Sequence, residues 1–161
     1  MSSPRLIIID ADTVAGWRRE RPSFLQLLSA VGDIATAHPS DIVTIIGDPA
    51  LKWALPPDDQ QPFDTAINNN RMVVAPAGTR SGHRGFIQAA VQRAADLHLA
   101  PVVVSDQIIP NCDVAPLRRV GTTFQIDMDN PLTFGDDDSR IRQHPRPRRN
   151  TTTRNGSQSS R

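Results

Sequence analysis

The apolar runs of this chain end on acids. Leu6-Ile7-Ile8-Ile9 runs into Asp10, with Asp12 and Thr13 close behind. Ile42-Val43-Thr44-Ile45-Ile46-Gly47 ends on Asp48, and Pro101-Val102-Val103-Val104-Ser105 ends on Asp106. Carboxylates are hard oxygen ligands. Two or three held together bind Mg²⁺ or Mn²⁺ with several waters left in place. Such an ion activates water and stabilises charge on a phosphate in transfer. The spacing supports that chemistry if the first and fourth runs are neighbouring strands, because Asp10 and Asp106 then converge with Asp12 or Asp48 in support. Each acid also has an ordinary structural alternative. Asp caps helices and opens turns, so Asp12 or Thr13 can cap the segment after the strand, and Asp48-Pro49 can simply start a turn.

The elements that must position these acids follow from periodicity. β-branched apolar runs read as buried strands of a parallel sheet, and ligands of open α/β sheets bind outside the carboxyl ends of the strands. Residues 5–10 read as the first strand, followed by a turn through Ala11-Asp12-Thr13. From Pro22 to Ala37, Phe24, Leu25, Leu27, Leu28, Val31 and Ile34 recur at three- and four-residue steps, which predicts a helix that His38-Pro39 ends. Asp41 to Asp48 is the second strand. Residues 49–69 are Pro-rich and polar, with helical pattern only around Phe63–Ile67, and Asn68-Asn69-Asn70 reads as a turn. Arg71 to Ala75 is a short third strand and Gly78 to Gly85 a polar loop. Phe86 to Leu99 is the clearest helix, with Phe86, Ile87, Ala90, Val91, Ala94 and Leu97 on one face. The fourth strand runs to Ser105, Val114–Val120 reads as a short helix carrying Leu117, and Thr122 to Asp127 alternates as a last strand. The alternation of strands and helices predicts an α/β domain, a three-layer sandwich around a mainly parallel central sheet.

The chain has 161 residues, of which 38% are hydrophobic, a low fraction for a wholly globular sequence. The deficit lies at the end. Residues 139–161 contain many Arg, no acid and almost nothing apolar, so the expected division is an α/β domain over 1–138 and a disordered basic tail over 139–161. The formal net charge of +1 averages a more acidic body, including Asp136-Asp137-Asp138, with that tail. Cys112 is the single cysteine, which excludes an internal disulfide or a Cys-based zinc site and suits a reducing compartment. No run has the length of a membrane span or the pattern of a signal peptide, so a cytoplasmic protein without a membrane partner is expected. There is no phosphate-binding Walker loop, no nucleophile elbow and no dinucleotide glycine fingerprint.

Taken in order, several segments resemble the PIN-like nucleases, particularly the NYN type. Ile7-Ile8-Ile9-Asp10-Ala11-Asp12-Thr13-Val14 resembles the opening strand and acid of that family. Met72 to Thr79 is similar to its strand and loop before the second acidic position. Phe86 to Ala94 is similar to the helix after that position, and Val102-Val103-Val104-Ser105-Asp106 to the strand that ends in Ser-Asn-Asp. The resemblance spans about residues 5–130. It implies a metal-dependent acidic pocket that cleaves RNA, with Asp10 at the first acid and Asp106 at the acid of the fourth strand. Thr13 stands where the family usually has Asn. The main departure is Gly82-His83-Arg84-Gly85, where the family places one or two Asp. That change removes a ligand and brings positive charge near the site. The alternatives it leaves are a reduced site, recruitment of Asp12 or Asp48, or a domain that binds without cleaving.

Candidate nucleic-acid contacts lie around the same place. Trp17-Arg18-Arg19-Glu20-Arg21 sets an aromatic beside cations close after Asp10, the combination that holds single strands, although a Trp anchored on the body explains it equally well. Arg80, His83 and Arg84 can meet phosphate or belong to a solvated loop. The Arg-rich tail can add nonspecific affinity for nucleic acid or act as a solubilising end. The leading expectation is a Mg²⁺- or Mn²⁺-dependent ribonuclease that cuts single-stranded RNA endonucleolytically, with Asp10 and Asp106 catalytic and Asp10, Asp106, Asp12 and Asp48 at the metal. The alternatives are a degenerate domain that binds RNA or a protein partner, and a receiver-like module in which Lys52, the one lysine, would serve the acids. Self-association is left open.

Overall fold

The computed structural model describes residues 3–76, 78 and 82–132. The basic tail, Arg80 and the Asp136–Asp138 run lie outside the described residues.

β1 (Arg5–Asp10) is the spine of the domain, and Ile7, Ile8 and Ile9 have essentially no exposure. Burying three such side chains contributes roughly 2 kcal/mol each relative to leaving them in water. Next in the chain come α1 (Ala11–Gly16), α2 (Phe24–Ala37), β2 (Ile42–Gly47), α3 (Leu51–Ala54), α4 (Pro57–Asn68) and β3 (Val73–Val74). They are followed by α5 (Gly82–Asp96), β4 (Ala100–Val104), β5 (Asp113–Ala115), β6 (Leu117–Val120) and β7 (Thr123–Ile126). The central sheet has five parallel strands in the order β3-β2-β1-β4-β5, and β6 pairs antiparallel with β7. The expected three-layer α/β sandwich is therefore present.

Alternation along β1 divides the core. Ile7 and Ile9 face one layer with Val14, Phe24, Leu27, Ile34, Phe63 and the β6–β7 hairpin, and Ile8 faces the other with Ile87, Val91 and Ile109. Because β1 pairs with β2 on one side and β4 on the other, the strand order reverses at β1. That reversal opens a crevice at the carboxyl ends of β1 and β4, the usual ligand position in such sheets. The register sets Ile9 opposite Val104, so Asp10 and Ser105 emerge side by side.

Several local expectations are corrected. Ala11-Asp12-Thr13 is the first turn of α1, not a loop turn. Residues 114–120 form β5 and β6 rather than a helix, because Pro116 has no amide to continue one and Leu117 pairs with Ile126. A two-residue turn, with Gly121 at φ +60°, closes that hairpin. The Pro-rich segment holds α3 and α4, with Pro57 in the tolerated first-turn position and Pro62 inside the helix. In α2, Ser23 caps the Gln26 amide, and the buried positions are Phe24, Leu27, Ala30 and Ile34, while Leu25 and Leu28 remain exposed. α5 begins at Gly82, four residues before the expected start, and Leu97 lies beyond its end and exposed. Among the described residues no helix is long and apolar enough to cross a membrane.

Candidate metal centre

Asp10 occupies the N-cap position of α1, yet its side chain caps no amide. The ordinary structural explanation for an Asp after a strand therefore does not account for it. The residue is 2% exposed. One carboxylate oxygen, Oδ2, accepts from Thr13 Oγ at 2.9 Å and from Ser105 Oγ at 2.8 Å. The other, Oδ1, is buried and has no hydrogen-bond partner among the described residues. Burying a carboxylate costs several kcal/mol unless it is paired, so an oxygen left bare is expensive.

Oδ1 faces His83. The imidazole Nε2 lies 3.4 Å from Asp10 Oδ1 and 3.9 Å from Asp12 Oδ2, and Nδ1 lies 3.5 Å from Asp48 Oδ2. The upstream extension of α5 brings His83 here, from a segment read in sequence as a loop. Asp12 is held from the opposite side by the Asp48 amide, which donates to Oδ2 at 2.9 Å. Gly47 keeps the packing beside it open, since a Cβ there would meet Ala11 Cβ at a tight 3.2 Å. Burial pushes the Asp12 carboxyl above its ordinary pKa. The Asp48 amide and His83 oppose the shift, and the charges of Asp10 and Asp48 reinforce it. Crowding of like charge in a partly buried pocket is an arrangement that a cation relieves.

The donor set fits a divalent ion. One atom each from Asp10, Asp12 and His83 lie within 4.8 Å of one another. Ligand bonds of about 2.1 Å place neighbouring ligands roughly 3.0–3.5 Å apart. The Asp10–His83 separation of 3.4 Å meets that requirement, and the 3.9 Å to Asp12 needs a small inward shift of a side chain that is 30% exposed.

The other sequence candidates fall around this centre. Asp106 is exposed and joins through Thr13, whose Oγ lies 3.0 Å from Asp106 Oδ1. The Thr13 hydroxyl has one proton and two carboxylate neighbours, so it donates to Asp10 or to Asp106 but not to both at once, and Asp106 lies on the Oδ2 side of Asp10, away from His83. Asp48 forms an ordinary turn with one oxygen, Oδ1 accepting from the Ala50 amide at 2.8 Å, while Oδ2 faces His83. Arg84 Nη2 donates to the Ile108 carbonyl at 2.7 Å, and among the described residues it forms no ion pair with these acids. Trp17 is partly buried, set edge-on to Phe124 at 5.7 Å, and Arg18 covers its ring at 4.6 Å. Lys52 pairs with Asp64 at 2.7 Å rather than with the acidic cluster, which removes the basis for a receiver-like site.

Two contributors were not evident from sequence. Ser105, 1% exposed, reads in sequence only as part of a strand-end motif, yet it donates to Asp10 and fixes it. Gln26 donates to the Val14 and Trp17 carbonyls, each at 2.9 Å, and so ties the end of α1 to α2.

No protein-family model and no curated protein sequence matches the chain. Among solved structures, it is similar to nuclear proteinaceous RNase P 2 from A. thaliana, at 13% identity and a TM-score of 0.55. The match covers 81% of this chain and 31% of that one, so this chain spans less than a third of that protein's length. At this identity the likeness concerns the fold alone.

Proposed function

We propose that this domain is a metal-dependent ribonuclease that cleaves single-stranded RNA by phosphodiester hydrolysis. The observation that carries the reading is the buried, unpartnered Oδ1 of Asp10, aimed at His83 beside Asp12. The likeness to a protein named as an RNase P is consistent with an RNA substrate. Asp10, Asp12 and His83 hold a Mg²⁺ or Mn²⁺ ion in this account. When bound, that ion supplies an activated water and charge stabilisation on the phosphate. Thr13 and Ser105 lock Asp10 in one orientation, so its free oxygen is already in place. Asp106, exposed and with Oδ1 3.0 Å from the same Thr13 oxygen, stands at the rim to take a proton or order water at the scissile phosphate.

The approach for RNA in this reading is the surface beyond α1. Arg18 lies on Trp17, Trp17 abuts Phe124, and Arg119 lies 5.2 Å from the Phe124 ring centre. Trp17 here supports a guanidinium rather than offering a bare face for a base. The cations then contribute phosphate contacts, which are salt-sensitive and independent of sequence. His83 belongs to the centre, and Arg84 in α5 donates to the Ile108 carbonyl.

A binding-only domain is the second reading. It is favoured by the placement of His83, whose imidazole occupies the space among Asp10, Asp12 and Asp48. The test is cleavage of a labelled single-stranded RNA in Mn²⁺, Mg²⁺ or EDTA by wild type, Asp10→Asn and Asp106→Asn. Metal-dependent cleavage lost in Asp10→Asn and reduced in Asp106→Asn is the expected result. Intact cleavage by Asp10→Asn would exclude the site, and a folded but inactive wild type that still binds RNA would establish the second reading.

A further inference from the structure

His83 presents its two ring nitrogens to different groups. Nε2 faces the unpartnered Asp10 Oδ1 and Asp12 Oδ2, while Nδ1 faces Asp48 Oδ2 at 3.5 Å. Asp48 cannot easily turn away, because its other oxygen accepts the Ala50 amide and its own amide is bonded to Asp12. At 3.5 Å Asp48 is a charged neighbour of Nδ1, and a small inward turn of its carboxylate lets it accept from Nδ1–H and leaves the lone pair on Nε2. This is the recurring arrangement of a metal-ligating histidine and its orienting acid.

We propose that His83 Nε2 is a nitrogen ligand of the centre, that Asp48 is its positioning residue rather than a ligand, and that the pair selects a transition cation such as Mn²⁺ over Mg²⁺. The inference rests on the metal-centre part of the proposed function and adds which ion is held and how. Mg²⁺ prefers an all-oxygen shell and gives up water reluctantly. An imidazole suits first-row transition cations, and one nitrogen beside two carboxylates tilts a mixed site toward them. Asp10 contributes one free oxygen, because Thr13 and Ser105 occupy the other. The imidazole therefore stands where a third oxygen ligand would otherwise complete a magnesium site. His83 sits in the first turn of α5 with its ring among Asp10, Asp12 and Asp48, so replacing it alters polar contacts rather than the apolar core.

The experiment is titration calorimetry of the full chain with MnCl₂ and with MgCl₂, for wild type, His83→Asp and Asp48→Asn. Wild type should bind Mn²⁺ roughly tenfold or more tightly than Mg²⁺. His83→Asp should narrow that ratio several-fold by strengthening Mg²⁺ binding, an effect that a merely structural role for His83 would not produce. Asp48→Asn should weaken Mn²⁺ binding about 10- to 100-fold while the melting temperature in EDTA is maintained. Equal affinity of wild type for the two ions, or a ratio unchanged in His83→Asp, would overturn the inference and leave an oxygen-ligated nuclease centre intact. Absence of binding by either ion would overturn the metal centre itself. A fall in Mn²⁺ affinity for Asp48→Asn matched by an equal fall for Mg²⁺ would make Asp48 a ligand instead of a positioning residue.

Discussion

Replacing Asp10 with Asn separates a functional carboxylate from a structural one. The amide is nearly isosteric, and its oxygen can still accept from Thr13 and Ser105, whose bonds to Asp10 are 2.9 and 2.8 Å. What the substitution removes is a buried negative charge. Donor atoms of Asp10 and Asp12 lie within 4.8 Å, and two unit charges at that distance repel by roughly 3 kcal/mol at an effective dielectric constant of 20. Partial exposure of Asp12 and the nearby imidazole reduce this to about 1 kcal/mol. Asp10→Asn should therefore match or exceed wild-type stability in EDTA, with a melting temperature up to about 3 °C higher. With Mn²⁺ at a hundred times its Kd, wild type should gain about 2.7 kcal/mol, whereas the variant should gain almost nothing. Circular-dichroism melts of both proteins in EDTA and in saturating Mn²⁺ measure all four values. A loss of several kcal/mol by Asp10→Asn in EDTA would refute the reasoning, because the charge would then be holding the fold. A centre that lowers stability until it is filled is typical of functional sites.

Gly47→Ala should cost about 1–2 kcal/mol in urea melts and weaken Mn²⁺ binding, since the new methyl meets Ala11 Cβ at 3.2 Å beside Asp12; unchanged stability and affinity would show that α1 has room to shift. Asp41 is held below the usual carboxylate range, first by the Arg5 amide and then by its guanidinium. A depressed folded pKa stabilises above the unfolded value and is lost as pH falls through the folded one, so the advantage of wild type over Asp41→Ala should be constant above about pH 5 and shrink below about pH 4. A constant difference down to pH 2 would contradict this. Burial, aided by the Asp113 charge, pushes the Cys112 thiol up to about 11, so a disulfide reagent at pH 8 should label the native protein far more slowly than the urea-unfolded chain.

The sheet was legible because its strands are short, β-branched and nearly continuous in apolar character, a pattern that does not depend on neighbours. The acids at the strand ends were legible for the same reason. α1 was not, because six residues contain too few turns for a period to show. The β5–β6 segment reads as a helix because Val114 and Leu117 lie three positions apart, a spacing a helix shares, and only pairing with β4 and β7 settles it. His83 carries the main lesson. As a loop residue beside Arg84 it looked like charge opposed to a cation, whereas four further residues of helix turn its imidazole toward Asp10 and route Arg84 to the Ile108 carbonyl. Asp48 ends a strand as Asp10 does, and the approach of its carboxylate to the imidazole Nδ1 is visible only in three dimensions.

The central claim is that Asp10, Asp12 and His83 hold a divalent cation. Anomalous diffraction at the manganese edge from crystals grown with MnCl₂ tests it most directly. The account predicts a peak at ligand distance, roughly 2 Å, from Asp10 Oδ1 and His83 Nε2, with Asp12 drawn inward. Crystals that show no peak there, with His83 still spanning the three acids, would contradict it.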